Sequence, residues 1–229
     1  MSPMSPRTLR PRASGWSPDS LPNLALWLDA SQAASVTLNG STVSEWRDRR
    51  AAVTAKMTQA TAAQQPAWVA SSKNGLGGIN FSANRIVNAS GLASLDQPTT
   101  YFTVFQAPTT AGSWAFFDGS VTRQHVFGNA QTEFRMFAGS TLGPVAIVGS
   151  VWYAAVLVYN GASSQLRLNT KTATTGNPGA NAVSGLLIGS ANGVRGDVNE
   201  FGVVSRAVTD AEANRLLDYM AKKWAIALT

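Results

Sequence analysis

Short runs in which apolar and polar residues alternate, each closed by a turn rich in Gly, Asn or Pro, recur along most of the chain. A period of two places alternate side chains on opposite faces of a strand. In Gln165-Leu-Arg-Leu168, Leu166 and Leu168 point inward and Gln165 and Arg167 outward. Glu133-Phe-Arg-Met-Phe137 divides in the same way, with Phe134 and Met136 opposed to Glu133, Arg135 and Phe137. Thr100–Phe105, Trp114–Phe117, Gln124–Phe127, Val145–Val148, Val151–Tyr159 and Leu186–Ile188 complete a β-rich middle. Turns are expected at Thr109–Gly112, Asp118-Gly119 and Gly128-Asn129. Upstream, Leu24–Asp29 reads as a buried strand, and Val36–Leu38 with Val43–Trp46 as a hairpin around Asn39-Gly40. Trp68-Val69, Gly78–Phe81 and Arg85–Val87 add short strands, while residues 51–66 read as loop or weak edge strand. Lys73-Asn-Gly-Leu-Gly-Gly78 is a plain turn, since neither a Gly-Lys-Ser/Thr element nor a helix pattern follows it. Turn signals roughly every 8–12 residues give the spacing of a sandwich.

One helix is predicted, at the end. Thr209-Asp-Ala-Glu212 has the form of a capping box, in which the hydroxyl and the carboxylate each take an orphan amide. Ala213, Leu216, Leu217, Met220 and Trp224 then form one apolar stripe, and Arg215 and Asp218 take the wet side. Lys222 and Lys223 sit where the helix dipole favours cations. Trp224 reads as a staple onto a sheet.

Composition narrows the possibilities. Only 13% of the residues are charged, which argues against a coiled coil or a charge-driven disordered chain. The absence of Cys removes disulfides, Cys-based zinc sites and thiol nucleophiles, and the single His125 argues against a Ser-His-Asp triad or a multi-His metal site. No apolar run reaches membrane-spanning length, and MSPMSPRTLRPR lacks the apolar segment of a secretory signal. Net charge is +6, but Arg7, Arg10 and Arg12 carry three of those charges within an acid-free start, leaving a body too weakly basic for nucleic-acid binding. Pro3, Pro6 and Pro11 stiffen this start, so it is either a solvated tail or a tether whose arginines pair with acidic groups of a partner.

Leu26-Trp-Leu-Asp-Ala30 with Val43-Ser-Glu-Trp-Arg-Asp48, and Gly196-Asp-Val-Asn-Glu-Phe-Gly-Val-Val204 with Ala207–Glu212 and Tyr219-Met-Ala-Lys-Lys-Trp224, form a familiar set. Over residues 22–226 the chain resembles the concanavalin A-like, laminin-G-type jelly rolls found in phage virion proteins and secreted bacterial proteins. Val208 and Ala225 are departures, standing where that family often has Leu and Gly. The resemblance implies an all-β sandwich of two antiparallel sheets with a C-terminal helix. It also implies two uses, glycan binding on the concave face or rim loops and packing within an assembly. The expected organisation is an extended arm over residues 1–21 and one jelly-roll domain over residues 22–229.

The fold also hosts glucanases, which need two carboxylates across the scissile bond. Asp197 and Glu200 are three apart and so face opposite sides of a regular strand, while Asp29, Asp48 and Glu133 have no acidic neighbour two positions away. A non-enzymatic role is therefore expected, with Glu200 structural. Laminin-G-type domains can hold Ca²⁺ on the rim, and Asp118, Asn129, Asn192 and Asp197 are conceivable oxygen ligands, although turns favour the same residues. For a sugar, Trp114 is the first candidate platform, with Asp118 and Asn129 to bond hydroxyls. His125 is expected to face solvent or a polar pocket and is assigned no chemistry.

The leading expectation is a virion structural protein of a tailed phage, made in the host cytoplasm and joined to other capsid or tail proteins through Arg7, Arg10 and Arg12. It would serve as a head decoration or a tail fibre or adhesin component, in multiple copies, with no bound cofactor. The alternative is a lectin-like module for host surface glycans. Removal of residues 1–17 is expected to leave a folded body that no longer joins the particle in an incorporation assay; normal incorporation would end the tether reading.

Overall fold

Burial that alternates along each strand sorts the chain into two β layers and a helix. The structure is a computed structural model that describes residues 15–82, 86–109, 113–122, 124–129, 132–189 and 195–229. In chain order its strands begin with β1 (Leu24–Asp29), β2 (Val36–Asn39), β3 (Thr42–Arg47), β4 (Lys56–Thr58), β5 (Ala67–Lys73) and β6 (Leu76–Ser82). β7 (Ile86–Ser90), β8 (Thr99–Gln106), β9 (Ser113–Thr122), β10 (His125–Asn129), β11 (Glu133–Phe137) and β12 (Thr141–Ala146) follow. β13 (Trp152–Tyr159), β14 (Ser164–Leu168), β15 (Thr174–Gly176), β16 (Ser184–Ile188), β17 (Arg195–Val204) and helix α1 (Asp210–Trp224) complete the order.

β17 is the axis of the back sheet. One of its edges pairs with β8, and the other pairs first with β6 and then with β1. The sheet continues from β8 through β13 and β14 to β15, and from β6 to β5. The front sheet runs β2, β3, β4, β7, β16, β9, β10, β11, β12. Every pairing among the described residues is antiparallel, and the Thr42–Ala67 pair and the Leu28–Asp48 bridge join the two sheets. This is a jelly-roll sandwich with one C-terminal helix, as the alternation predicts.

The back sheet buries both faces. Along β13, Tyr153, Ala155, Leu157 and Tyr159 enter the core between the sheets, while Ala154, Val156 and Val158 pack under the helix. Burial on both faces is why β13 and β8 read as nearly unbroken apolar runs. Between the sheets, Phe105 stacks on Phe134 at 5.4 Å, and Tyr101 and Phe117 rings lie 4.3 Å apart. On the helix side, Phe102 lies so close over Gly202 that a Cβ there would come within 2.0 Å of its ring, which requires glycine at that position. No helix among the described residues is long and apolar enough to cross a membrane.

The helix forms as its sequence predicts. The Thr209 side chain accepts from the Glu212 amide, Glu212 accepts from the Thr209 amide, and the whole apolar stripe is buried. Arg206 grips the same carboxylate through two nitrogens, at 2.7 and 2.9 Å, and that bond is the main reason the Glu212 carboxyl is held down at about 2. Ala225 ends the helix with φ 50°, a left-handed conformation in which glycine is favoured.

Several local expectations are corrected. Residues 56–58, within the stretch read as loop or weak edge, form an interior strand between β3 and β7; only Met57 faces the core, so tertiary pairing rather than local pattern creates β4. Asp118-Gly119 and Gly128-Asn129 are not turns. The first pair lies within β9 opposite Leu187 and Leu186, and the second within β10 opposite Trp114 and Ser113. Arg167 is outward from the core but not wet: its side chain is 3% exposed beneath the helix and bonds Asp210 at 2.7 Å. Lys73–Gly78 does hold a tight turn, with positive φ at Asn74 and Gly75. Leu21 is buried in the helix-side core and Trp16 packs against it, so the body begins before residue 22.

One cluster fastens helix to sheet. Asp29 on β1 and Glu200 on β17 are cross-strand partners, and both are fully buried. Glu200 Oε1 accepts from Trp27 Nε1 at 2.7 Å and from the Tyr219 hydroxyl at 2.9 Å. Its Oε2 accepts from Trp224 Nε1 at 2.6 Å and Lys223 Nζ at 3.0 Å. The same Lys223 ammonium lies 2.6 Å from Asp29 Oδ1, and Arg49 bonds Asp29 Oδ2 at 2.6 Å. Two carboxylates thus meet two cations, and all four oxygens hold donors. Burial pushes the Glu200 carboxyl up, and Lys223 and the two indole N–H groups pull it back. Nearby, Asp48 accepts the Trp27 backbone amide at 2.8 Å and two bonds from the Arg50 side chain, at 2.9 and 2.7 Å.

A half-satisfied buried network costs more than an apolar one. Glu200→Gln keeps the shape but turns an NH₂ donor toward an indole N–H or an ammonium. Denaturant unfolding is expected to show a loss of roughly 3–5 kcal/mol. A loss under about 1 kcal/mol, the scale of a solvated surface pair, would contradict the clasp.

Candidate functional site

The outer surface of the front sheet carries rings where alternation calls for polar residues. On β11, Phe134 and Met136 enter the core, which leaves Glu133, Arg135 and Phe137 half-buried on the other face. On β10, Val126 enters the core and His125 and Phe127 share the outer face. Register places His125 opposite Phe137 and Phe127 opposite Arg135. The imidazole lies 4.7 Å from the Phe137 ring and 5.3 Å from the Phe127 ring, so three rings form one strip across two strands.

Polar groups border the strip. At one end Glu133 Oε2 accepts from Arg135 at 3.1 and 2.8 Å, which fixes the guanidinium beside the rings. At the other, Asp118 Oδ1 on β9 lies 3.5 Å from His125 Nδ1 and accepts the Gly119 amide at 2.8 Å. The Tyr159 hydroxyl reaches from the core to the His125 carbonyl at 2.9 Å and fixes the backbone there. Asp118 and His125 side chains are only 8% and 12% exposed, and Phe127, Phe137 and Arg135 offer the more accessible surface of the strip. Such a strip presents flat apolar faces with fixed hydrogen-bonding groups beside them.

The residues proposed for a sugar from sequence do not come together. Trp114 is 4% exposed, and its ring packs 6.5 Å from Phe105 and 6.1 Å from Phe134. It also covers Gly128, where a Cβ would come within 2.3 Å of the indole. It is a core residue, because its strand position faces inward, and not a platform. Asp118 does border the candidate face, but from a strand interior. Asn129 is a strand position paired with Ser113, and its side chain lies outside the described residues. Arg7, Arg10, Arg12 and Asn192 also lie outside them.

The calcium reading is not supported by a ligand cluster. Asp197, on the back sheet, accepts from Ser72 at 2.5 Å and Asn80 at 2.7 Å, while Asp118 lies on the front sheet. Among the described residues no three acidic or His side chains gather as a metal site would need. Asp29 has no acidic residue two positions away in sequence, but the fold pairs it across strands with Glu200. That pair is sealed from solvent with every oxygen occupied, so it has no free oxygen to present to a substrate. The rings that sequence reasoning passed over had a signal: Phe137 sits at an outward position of a clean alternation, and His125 alternates with a core valine.

No protein-family model matches the chain, and no curated protein matches it by sequence. Solved structures resemble it in fold. Trypanosoma rangeli sialidase superposes with a TM-score of 0.61 at 13% identity, over 89% of this chain and 33% of that one. Domain 4 of AbnA, a GH43 extracellular arabinanase from Geobacillus stearothermophilus, in complex with arabinotriose, gives 0.58 at 12%, covering 85% of this chain and 98% of that domain. The binding domain of Paraclostridial Mosquitocidal Protein 1 gives 0.54 at 12%, over 86% and 52%. The chain spans about a third of the length of the sialidase. These likenesses concern the β-sandwich fold.

Placing Trp114 in the core has a direct consequence. Trp114→Ala is expected to cost about 3–5 kcal/mol in denaturant unfolding. A fully stable variant would mean that the ring is not packed as described.

Proposed function

We propose that this chain is a non-catalytic carbohydrate-binding β-sandwich module, and that the strip of His125, Phe127 and Phe137 with Arg135 and Glu133 is its sugar-binding face. The observation that carries this reading is the strip itself, three rings held in register on an outer sheet surface between two sets of polar groups. A sugar ring has an apolar face that stacks on such rings and hydroxyls that bond the flanking charged groups. The arabinanase domain bound to arabinotriose supports the reading by fold, as a neighbour of nearly this size that holds a saccharide.

A role on a phage particle is the second reading. It rests on Arg7, Arg10 and Arg12 within an acid-free, proline-rich start. The two readings combine in an adhesin, in which the start holds a partner and the sheet face holds a glycan. Since Trp16 packs on the body, an informative truncation ends at residue 14 rather than 17.

The test is a neutral-glycan array probed with the full chain, followed by titration of the best ligand. Phe137→Ala and Phe127→Ala are each expected to weaken binding about tenfold, the roughly 1.4 kcal/mol at the upper end of one ring-stacking contact. Silence across the array, or binding that both variants retain, would overturn the proposal.

A further inference from the structure

A second cluster lies on the opposite side of the sandwich, beyond the helix. A cavity of about 600 Å³ is lined by Trp16, Arg49, Arg215, Tyr219, Lys222 and Lys223, with Asp218 and Gly15 also at its wall. Its helix residues recur at i, i+3, i+4, i+7 and i+8 from Arg215, which puts them on one stripe beside the apolar one. Trp16 meets Tyr219 edge-on at 6.3 Å and forms the aromatic wall.

The charges fall into two groups. Arg49 and Lys223 are balanced by Asp29 and Glu200 and held rigid by them; the Arg49 guanidinium also lies 4.5 Å over the Trp27 ring. Asp218 is engaged by Lys171 at 2.7 Å. Arg215 and Lys222 are exposed and make no hydrogen bond or ion pair among the described residues. Arg49 uses only one terminal nitrogen on Asp29 and is still 35% exposed, so further donors remain for a ligand. The cavity therefore carries two uncompensated cations and one anchored, partly free guanidinium beside an indole.

We infer that this cavity is a binding site for an acidic saccharide, a sugar unit bearing a carboxylate. The volume lies within the range of small-ligand sites and suits one or two sugar rings. The ring stacks on Trp16, and the carboxylate meets the cations, of which an arginine offers two parallel donors. An acidic peptide fits less well. An arginine cluster also recognises acidic peptides, but the Trp16 wall adds a flat apolar surface that matches the face of a sugar ring and no part of an Asp or Glu side chain. The buried carboxylates are the positioning element: they fix Arg49, Lys223 and Tyr219 before any ligand arrives, which lowers the ordering cost of binding. This site is independent of the front-sheet face, since the sandwich core and the back sheet separate the two.

Calorimetric titration of the full chain with a galacturonic acid oligosaccharide, the matching neutral galactose oligosaccharide and a glutamate-rich peptide tests the inference. Binding of the acidic sugar is expected, weakened about tenfold or more by Arg215→Gln and by Trp16→Ala and unaffected by Phe137→Ala, while neither Arg215→Gln nor Trp16→Ala changes any response to the neutral sugar. Trp16→Phe should retain most of the acidic-sugar binding, which separates stacking from a folding defect. No binding of the acidic sugar, equal binding of the peptide, or binding indifferent to Trp16→Ala would each overturn the inference. Loss of neutral-sugar binding in Phe137→Ala alone bears on the front-sheet face and not on this one.

Discussion

A carboxylate with no access to water holds this protein's helix to its sheet. Glu200 sits in the middle strand of the back sheet and accepts from two indoles, a phenol and an ammonium, three of these donors lying on α1. Burial of such a charge is unfavourable unless each lone pair finds a partner. The consequence is geometric specificity: helix, β1 and β17 can meet in only one arrangement that satisfies Asp29, Glu200, Arg49 and Lys223 together. The apolar stripe of α1 supplies burial, but burial alone is non-directional.

That clasp explains why a scattered sequence pattern behaves as one feature. Trp27, Asp29, Asp48, Glu200, Lys223 and Trp224 come from four separate stretches and converge on a single buried cluster, with Trp46 on the core side of the same region. The motif was legible in the sequence, as were the strand alternation, the capping box and the apolar stripe, because each depends on residues a few positions apart. The pairing of Asp29 with Glu200 was not, because it depends on which strands become neighbours. β4 was missed for the same reason, and Asp118-Gly119 and Gly128-Asn129 were read as turns because turn-forming residues can also be carried inside paired strands.

The candidate site was legible only in part. Asp118 reads from sequence as a turn residue, whereas it lies inside β9 with its carboxylate 3.5 Å from the His125 ring. Trp114 reads from sequence as a sugar platform because large aromatics stack on sugars, yet strand direction sends it inward, and Gly128 clears the space for its ring. Phe127 and Phe137 are less conspicuous in sequence, and their outward parity is what marks them. The sandwich thus leaves two unlike surfaces. The front sheet offers rings with a nearly neutral border, and the helix side offers rings with excess positive charge. Buried polar groups hold part of each: Tyr159 fixes the His125 backbone on one, and Asp29 and Glu200 fix Arg49, Tyr219 and Lys223 on the other.

The buried clasp is tested most directly by hydrogen exchange at the indole Nε1–H groups of Trp27 and Trp224, followed by NMR across a denaturant series. Both protons are expected to exchange only through global unfolding, with the same dependence on denaturant as the amides of the central strands β8 and β17. Fast exchange that ignores denaturant, while those strands remain protected, would show the helix opening freely from the sheet and would contradict the account.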